Sequence, residues 1–148
     1  MTAPRLTLHA TAVALSDRAL LLLGPPGSGK SDLALRLIDR GAALIADDCV
    51  ELVAGGAGLL ARYPAAAAAH LRGHLLIRGR GLTPVPAAPP TPLALAARLI
   101  PGHRSEPLTA PATESWLGHA IPCLALDPWL ASAPAQLRLA LETAPQAH

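Results

Sequence analysis

The order of three short stretches constrains this chain more than any other feature. Ala19-Leu20-Leu21-Leu22-Leu23 is wholly apolar, which suits a parallel strand buried on both faces better than an edge strand. Gly24-Pro25-Pro26-Gly27-Ser28-Gly29-Lys30-Ser31 follows, with the spacing Gly, four free positions, Gly-Lys-Ser of a phosphate-binding loop. Gly24, Gly27 and Gly29 let the backbone turn several N–H groups toward one anion. Lys30 brings a positive charge to the outer phosphates, and Ser31 places a hydroxyl where a bridging magnesium ion would sit. Beyond Ser31, Asp32, Arg36, Asp39 and Arg40 fall at helical spacing and leave Leu33, Ala34, Leu37 and Ile38 for a core face. Gly41 stops that helix. Strand, loop and helix thus occur in the order that a nucleotide-binding α/β fold requires.

Composition limits what surrounds this unit. Hydrophobic residues make up 51% of the 148 and charged residues only 15%, enough apolar material for one domain, expected to span residues 1–148. No run approaches the roughly 18–20 apolar residues of a membrane span, and MTAPRLTLHA lacks a basic start followed by a long apolar stretch. A cytoplasmic protein without membrane contact is expected. Cys49 and Cys123 are unclustered and read as small buried thiols. A net charge of +2, with one Tyr, two Trp and no Phe, offers neither a strong basic field nor an aromatic platform, so nucleic acid is not expected as a partner.

Along the remaining chain, Leu6–Leu8 and Thr11–Leu15 read as strands, with Ser16-Asp17 as a turn. Ala43–Ala46 and Val50–Val53 are further strands, and Gly55–Gly58 is a turn. The Ala-rich segment from Pro64 to Arg72 predicts a short helix ended by Gly73. Leu75–Ile77 predicts a strand and Pro84–Pro92 an irregular surface loop. Thr91-Pro92 predicts a helix start, with the helix running through Ile100 to a stop at Pro101-Gly102. Residues 103–113 read as irregular, Ile121–Leu126 as a strand, and Ser132-Ala133-Pro134 as the start of a last helix with Leu137 and Leu141 on one face. Trp116 and Trp129 are expected in the core or at a subunit contact.

Asp47-Asp48 ends the apolar run Ala43–Ala46. Two carboxylates at a strand end near a phosphate loop divide naturally between magnesium and the proton of an attacking hydroxyl, and this reading is preferred to the alternative that they merely cap the strand and turn.

His9, the loop Gly24–Ser31, the helix end Arg40-Gly41, IADD at residues 45–48 and IRGRG at 77–81 occur in the order and approximate spacing of the HPr kinase/phosphorylase catalytic domain. The chain resembles the short form of that family, and LALDPWLASAPAQLRLAL resembles its C-terminal end. The resemblance implies an α/β fold with a phosphate-loop-containing mixed sheet and flanking helices, like phosphoenolpyruvate carboxykinase around the loop. It implies ATP and Mg2+, a serine of an HPr-like phosphocarrier protein of the phosphotransferase system as acceptor, and a hexamer. By position it assigns Gly24, Pro25, Pro26, Gly27, Ser28, Gly29, Lys30 and Ser31 to the nucleotide. Asp47 becomes the acceptor of the serine proton, Ser31 and Asp48 the metal side, and His9 an active-site histidine. Arg78 becomes a contact for phosphate or partner.

Two departures qualify the resemblance. Leu76 stands where the family usually carries a glutamate that helps to hold magnesium, and leucine cannot ligate a hard cation. LDPWLASAP carries no arginine where the family has a basic loop linked to phosphate removal, so kinase activity is expected and phosphorolysis is not. Leu76 also keeps open a nucleotide-binding regulatory module with weak or no catalysis.

Overall fold

The computed structural model describes residues 3–104 and 112–145. Along them run β1 (Arg5–Leu8), β2 (Thr11–Leu15), β3 (Arg18–Leu23), α1 (Lys30–Asp39), β4 (Ala43–Ala46), β5 (Val50–Gly55), β6 (Gly58–Arg62), β7 (His74–Ile77), β8 (Gly81–Pro84), β9 (Thr91–Leu99), β10 (Ala112–Trp116), β11 (His119–Leu126) and α2 (Ala133–Thr143). The mixed sheet with flanking helices expected from the sequence is present.

Ser16 and Asp17 join β2 to β3 with φ of 48° and 65°, the left-handed pair that matches the twist of a tight hairpin. β3 then lies between β2, antiparallel, and β9, parallel. Its side chains alternate between two cores, as the strand period of two demands. Leu20 and Leu22 face the layer that holds Leu33, Ala34 and Leu37 of α1 and Leu137 and Leu141 of α2. Ala19 and Leu21 face the opposite layer, with Val50 and Leu52 of β5 and Leu59 and Ala61 of β6. Ile38, expected on the core face of α1, is only partly buried and packs at its margin.

The sheet is curled, and β9 is where it turns. Thr91 and Pro92 pair antiparallel with β6, while residues from Leu93 onward pair parallel with β3 and those from Ala96 onward parallel with β11. One edge therefore continues as β6-β5-β1 and the other as β3-β2-β4, with β10 outside β11. The helix expected from Thr91 through Ile100 is thus a central strand. Ala and Leu favour helices, but Ala96 and Ala97 are fully buried between two parallel neighbours, and that ladder overrides the local preference.

The second expected helix, over Pro64–Arg72, shrinks to a single 3-10 turn at Ala69–Leu71. Most of its alanines are exposed, so no apolar face offsets the cost of nucleating a helix. Leu75–Ile77 is a strand as expected, but it belongs to a separate two-stranded hairpin with β8. Leu75 and Ile77 pack toward α1, while Leu76 and its cross-strand partner Leu82 are exposed. The proline-rich loop after β8 is irregular but not free. Leu44 N–H donates to Pro86 O at 2.7 Å and Ala88 N–H to Leu44 O at 2.8 Å, so the loop covers the edge of β4. Of the stretch 103–113, residues 105–111 lie outside the described ones, and Ala112-Thr113 opens β10, a strand the sequence did not reveal.

Candidate functional site

Strand direction assembles the site. β9 and β11 run parallel to β3, and β4 does too, because both are antiparallel to β2. The carboxyl ends of β3, β4, β9 and β11 therefore share one edge of the sheet, the edge where ligands bind in open α/β sheets. The glycine-rich loop leaves β3 there, Asp47-Asp48 follows β4, and the Asp127–Leu130 segment follows β11. Thr11 opens β2 opposite Leu22, so it arrives at the same edge from the other direction.

The loop is a closed cradle. Ser28 N–H donates to Pro25 O at 3.1 Å, and Leu33 N–H to Gly29 O at 2.9 Å. Gly27 and Gly29 have φ of 83° and 98°, which a side chain would strain. At Gly24 a Cβ would lie 2.4 Å from Ser28 Oγ, so only glycine lets the loop close. Gly29 caps α1 without any side-chain hydrogen bond, which leaves the first-turn amides for an anion. Ser28 Oγ is buried without a partner, an arrangement that is costly unless a ligand or water completes it. Lys30 folds back, its Nζ donating to Gly24 O at 2.6 Å and Pro25 O at 3.0 Å.

Beside the loop, Ser31 Oγ donates to Asp47 Oδ1 at 2.9 Å, with Oδ2 at 3.2 Å. Thr11 Oγ1, fully buried, donates to the same Oδ1 at 2.8 Å and accepts from Asp48 N–H at 3.3 Å. Two hydroxyls thus fix Asp47 against the loop. Asp48 turns away at φ 68° and is exposed. Burial first, and then the charges of Asp48 and Glu51, push the neighbouring Cys49 thiol up. His9 is exposed between Leu8, paired with Val50, and Thr11, which brings the turn to the rim beside Asp48. Arg78 lies exposed in the β7–β8 turn, and among the described residues it makes no hydrogen bond or ion pair.

Sequence reasoning missed two residues at this edge. Thr11 carried no local signal beyond its place at the start of a strand. Trp129, expected in the core or at a subunit contact, is 54% exposed and lies against Gly29, where a Cβ would sit 3.1 Å from Trp129 Cζ2.

The donor set fits a magnesium nucleotide. Among the described residues no group of three or more His, Cys, Asp or Glu could hold a metal, whereas Mg2+ commonly rests on one or two protein oxygens, phosphates and water. Ser31 and Asp47 supply such oxygens beside an uncapped helix start.

Fold and site together define a mixed α/β protein with a phosphate-loop sequence at the carboxyl edge of its sheet. The family model for the HPr serine kinase C-terminal domain matches residues 1–88, more than half of the chain, and the protein belongs to that family. The HPr kinase/phosphorylase of Caldicellulosiruptor bescii is 50% identical over 50 residues, which cover 34% of this chain and 16% of the relative. That of Cupriavidus necator is 39% identical over 83 residues, 55% of this chain and 24% of the relative. The chain therefore spans a quarter or less of these relatives. The solved structure of the Hpr(Ser) kinase/phosphatase from Coxiella burnetii is similar throughout, with a TM-score of 0.75, 28% identity, and coverage of 93% of this chain and 99% of that one.

Proposed function

We propose that the chain is an ATP-dependent protein-serine kinase whose acceptor is an HPr-like phosphocarrier, in the cytoplasm. The observation that carries this reading is the pair of hydrogen bonds from Ser31 and Thr11 to Asp47, which fixes a carboxylate at the mouth of the phosphate loop. Lys30 swings from the Gly24 and Pro25 carbonyls onto the outer phosphates, and the loop amides take the inner ones. Mg2+ bound here would neutralise charge on the transferred group.

The hydrogen bonds favour an exchange of the roles that the family resemblance gives the two aspartates. Asp47, oriented by Ser31 and Thr11, belongs to the metal and its water shell. Asp48, exposed at the rim, accepts the proton of the incoming serine hydroxyl and so orients a weak nucleophile. His9 and Arg78 stand on exposed turns and serve the docking protein. With no arginine between Leu126 and Pro134, phosphorolysis is not part of the proposal.

A second reading, a nucleotide-binding module without transfer, rests on exposed Leu76. Incubation with γ-labelled ATP, magnesium and purified HPr separates the two. Label on HPr that disappears with Lys30→Ala, and with a carrier lacking its target serine, supports the kinase. ATP binding that depends on Lys30, without label, supports the module.

A further inference from the structure

Trp129 is the least expected feature of the catalytic edge. A large apolar ring more than half exposed normally gains little from its position, yet the backbone around this one is held from several sides. Trp129 N–H donates to Asp127 Oδ1 at 3.0 Å, Leu130 N–H to Asp127 O at 3.4 Å, and Ile100 N–H to Leu126 O at 2.9 Å. Arg36 of α1 reaches across, its Nη1 donating to Leu130 O at 3.4 Å and its Nη2 to Pro128 O. Asp32 Oδ2 accepts from Nε of the same arginine at 3.0 Å and so fixes its reach.

The ring packs on Gly29 at close range. A Cβ there would be 3.1 Å and 3.2 Å from two ring carbons and 3.4 Å from Pro128 Cβ. The loop and the tryptophan are therefore fitted to each other.

Position along α1 separates this feature from the metal side. Gly29, Asp32 and Arg36 recur at three- and four-residue spacing and share a face of the helix, and the Pro128–Leu130 segment lies along that face. Ser31, rotated away from it, meets Asp47. If the outer phosphates lie by Lys30, Ser31 and Asp47, the sugar and base of a nucleotide leave the loop away from them, past the first turn of α1.

We propose that the exposed face of Trp129 is the surface on which the base of the bound nucleotide stacks. The inference rests on the phosphate-loop reading of Gly24–Ser31 and adds the element that separates a nucleotide from inorganic polyphosphate. Stacking needs a π-face held still, and the Arg36 and Asp127 contacts hold this one before any ligand arrives. Trp129 is here a binding residue and touches no reacting atom.

The test uses the full chain and two probes, ATP and inorganic tripolyphosphate, with magnesium. In a Trp116→Phe background Trp129 is the remaining tryptophan, so its emission reports the site directly. ATP should quench that emission, and tripolyphosphate should bind in a Lys30-dependent manner with little quenching. Trp129→Ala should weaken ATP about tenfold, within the range of base–aromatic stacking, and leave tripolyphosphate within about twofold. Trp129→Phe should recover most of the ATP affinity. Equal weakening of both probes would overturn the proposal, because Trp129 would then only support the loop. Unchanged ATP affinity in Trp129→Ala would overturn it too, with the loop reading intact. Failure of the unmodified protein to bind either probe would refute the loop reading and this inference together.

Discussion

Replacing Thr11 by valine removes one hydroxyl from a fully buried position and changes little else in size. That hydroxyl donates to Asp47 Oδ1 at 2.8 Å and accepts from Asp48 N–H at 3.3 Å. The first bond is charge-assisted, a type worth about 1.5–3 kcal/mol, and the second is long and weak. Asp47 is partly exposed and keeps Ser31 as a donor, so the lower part of the range applies, about 1.5–2 kcal/mol. For a domain of this size the corresponding fall in Tm is about 3–8 °C. Circular dichroism melts, with urea titration to confirm an unchanged m-value, provide the assay. Thr11→Ser, which keeps the hydroxyl and loses only a methyl group, should retain magnesium-dependent nucleotide binding that Thr11→Val weakens. A Thr11→Val protein that melts within about 1 °C of the parent and binds nucleotide normally would refute the claim that this threonine orients Asp47.

Three further outcomes follow from other contacts. Arg18 donates from Nη1 to Leu141 O and from Nη2 to Ala144 O at 2.6 Å and Pro145 O at 3.1 Å. It caps the carboxyl end of α2, so Arg18→Met should cost about 1–2 kcal/mol and speed amide exchange in the last turn of α2; unaltered exchange there would contradict the cap. Gly29→Ala should add about 1–2 kcal/mol of left-handed strain and displace the Trp129 ring, read as altered tryptophan emission and lost tripolyphosphate binding, whereas retention of both would show that the loop tolerates a Cβ. Burial pushes the Cys123 thiol up, opposed by Arg98 and reinforced by Glu114. Its thiolate fraction is therefore below that of an ordinary thiol, and alkylation followed by mass spectrometry should keep accelerating past the ordinary thiol value of about 8.5 rather than level off there.

The strands nearest the loop were legible because their apolar runs are short and end in glycine or aspartate turns, and the helix after the loop because its polar residues keep a helical period. TPLALAARLI at residues 91–100 was not, since alternation and helical periodicity both accommodate a run of Ala and Leu. Only the flanking β3 and β11 ladders, distant in sequence, decide for a strand. The alanines after Pro64 misled in the opposite way, because propensity without a face to bury does not make a helix. In the candidate site, the glycine loop announced itself because the glycine spacing encodes the backbone turns found at Gly27 and Gly29. The hydrogen bonds that single out Asp47 from Asp48 did not, because adjacent identical residues differ only in where the strand exit sends them. Thr11 and Trp129 reach the edge through strand order, which no local pattern carries.

The proposed division gives Asp47 to the metal and Asp48 to the acceptor. Calorimetric titration of ATP with and without magnesium, paired with single-turnover transfer to HPr, tests it in Asp47→Asn and Asp48→Asn. Asp47→Asn should lose the gain in affinity that magnesium brings, while Asp48→Asn should keep that gain and lose transfer. Magnesium dependence lost in Asp48→Asn and kept in Asp47→Asn would contradict it.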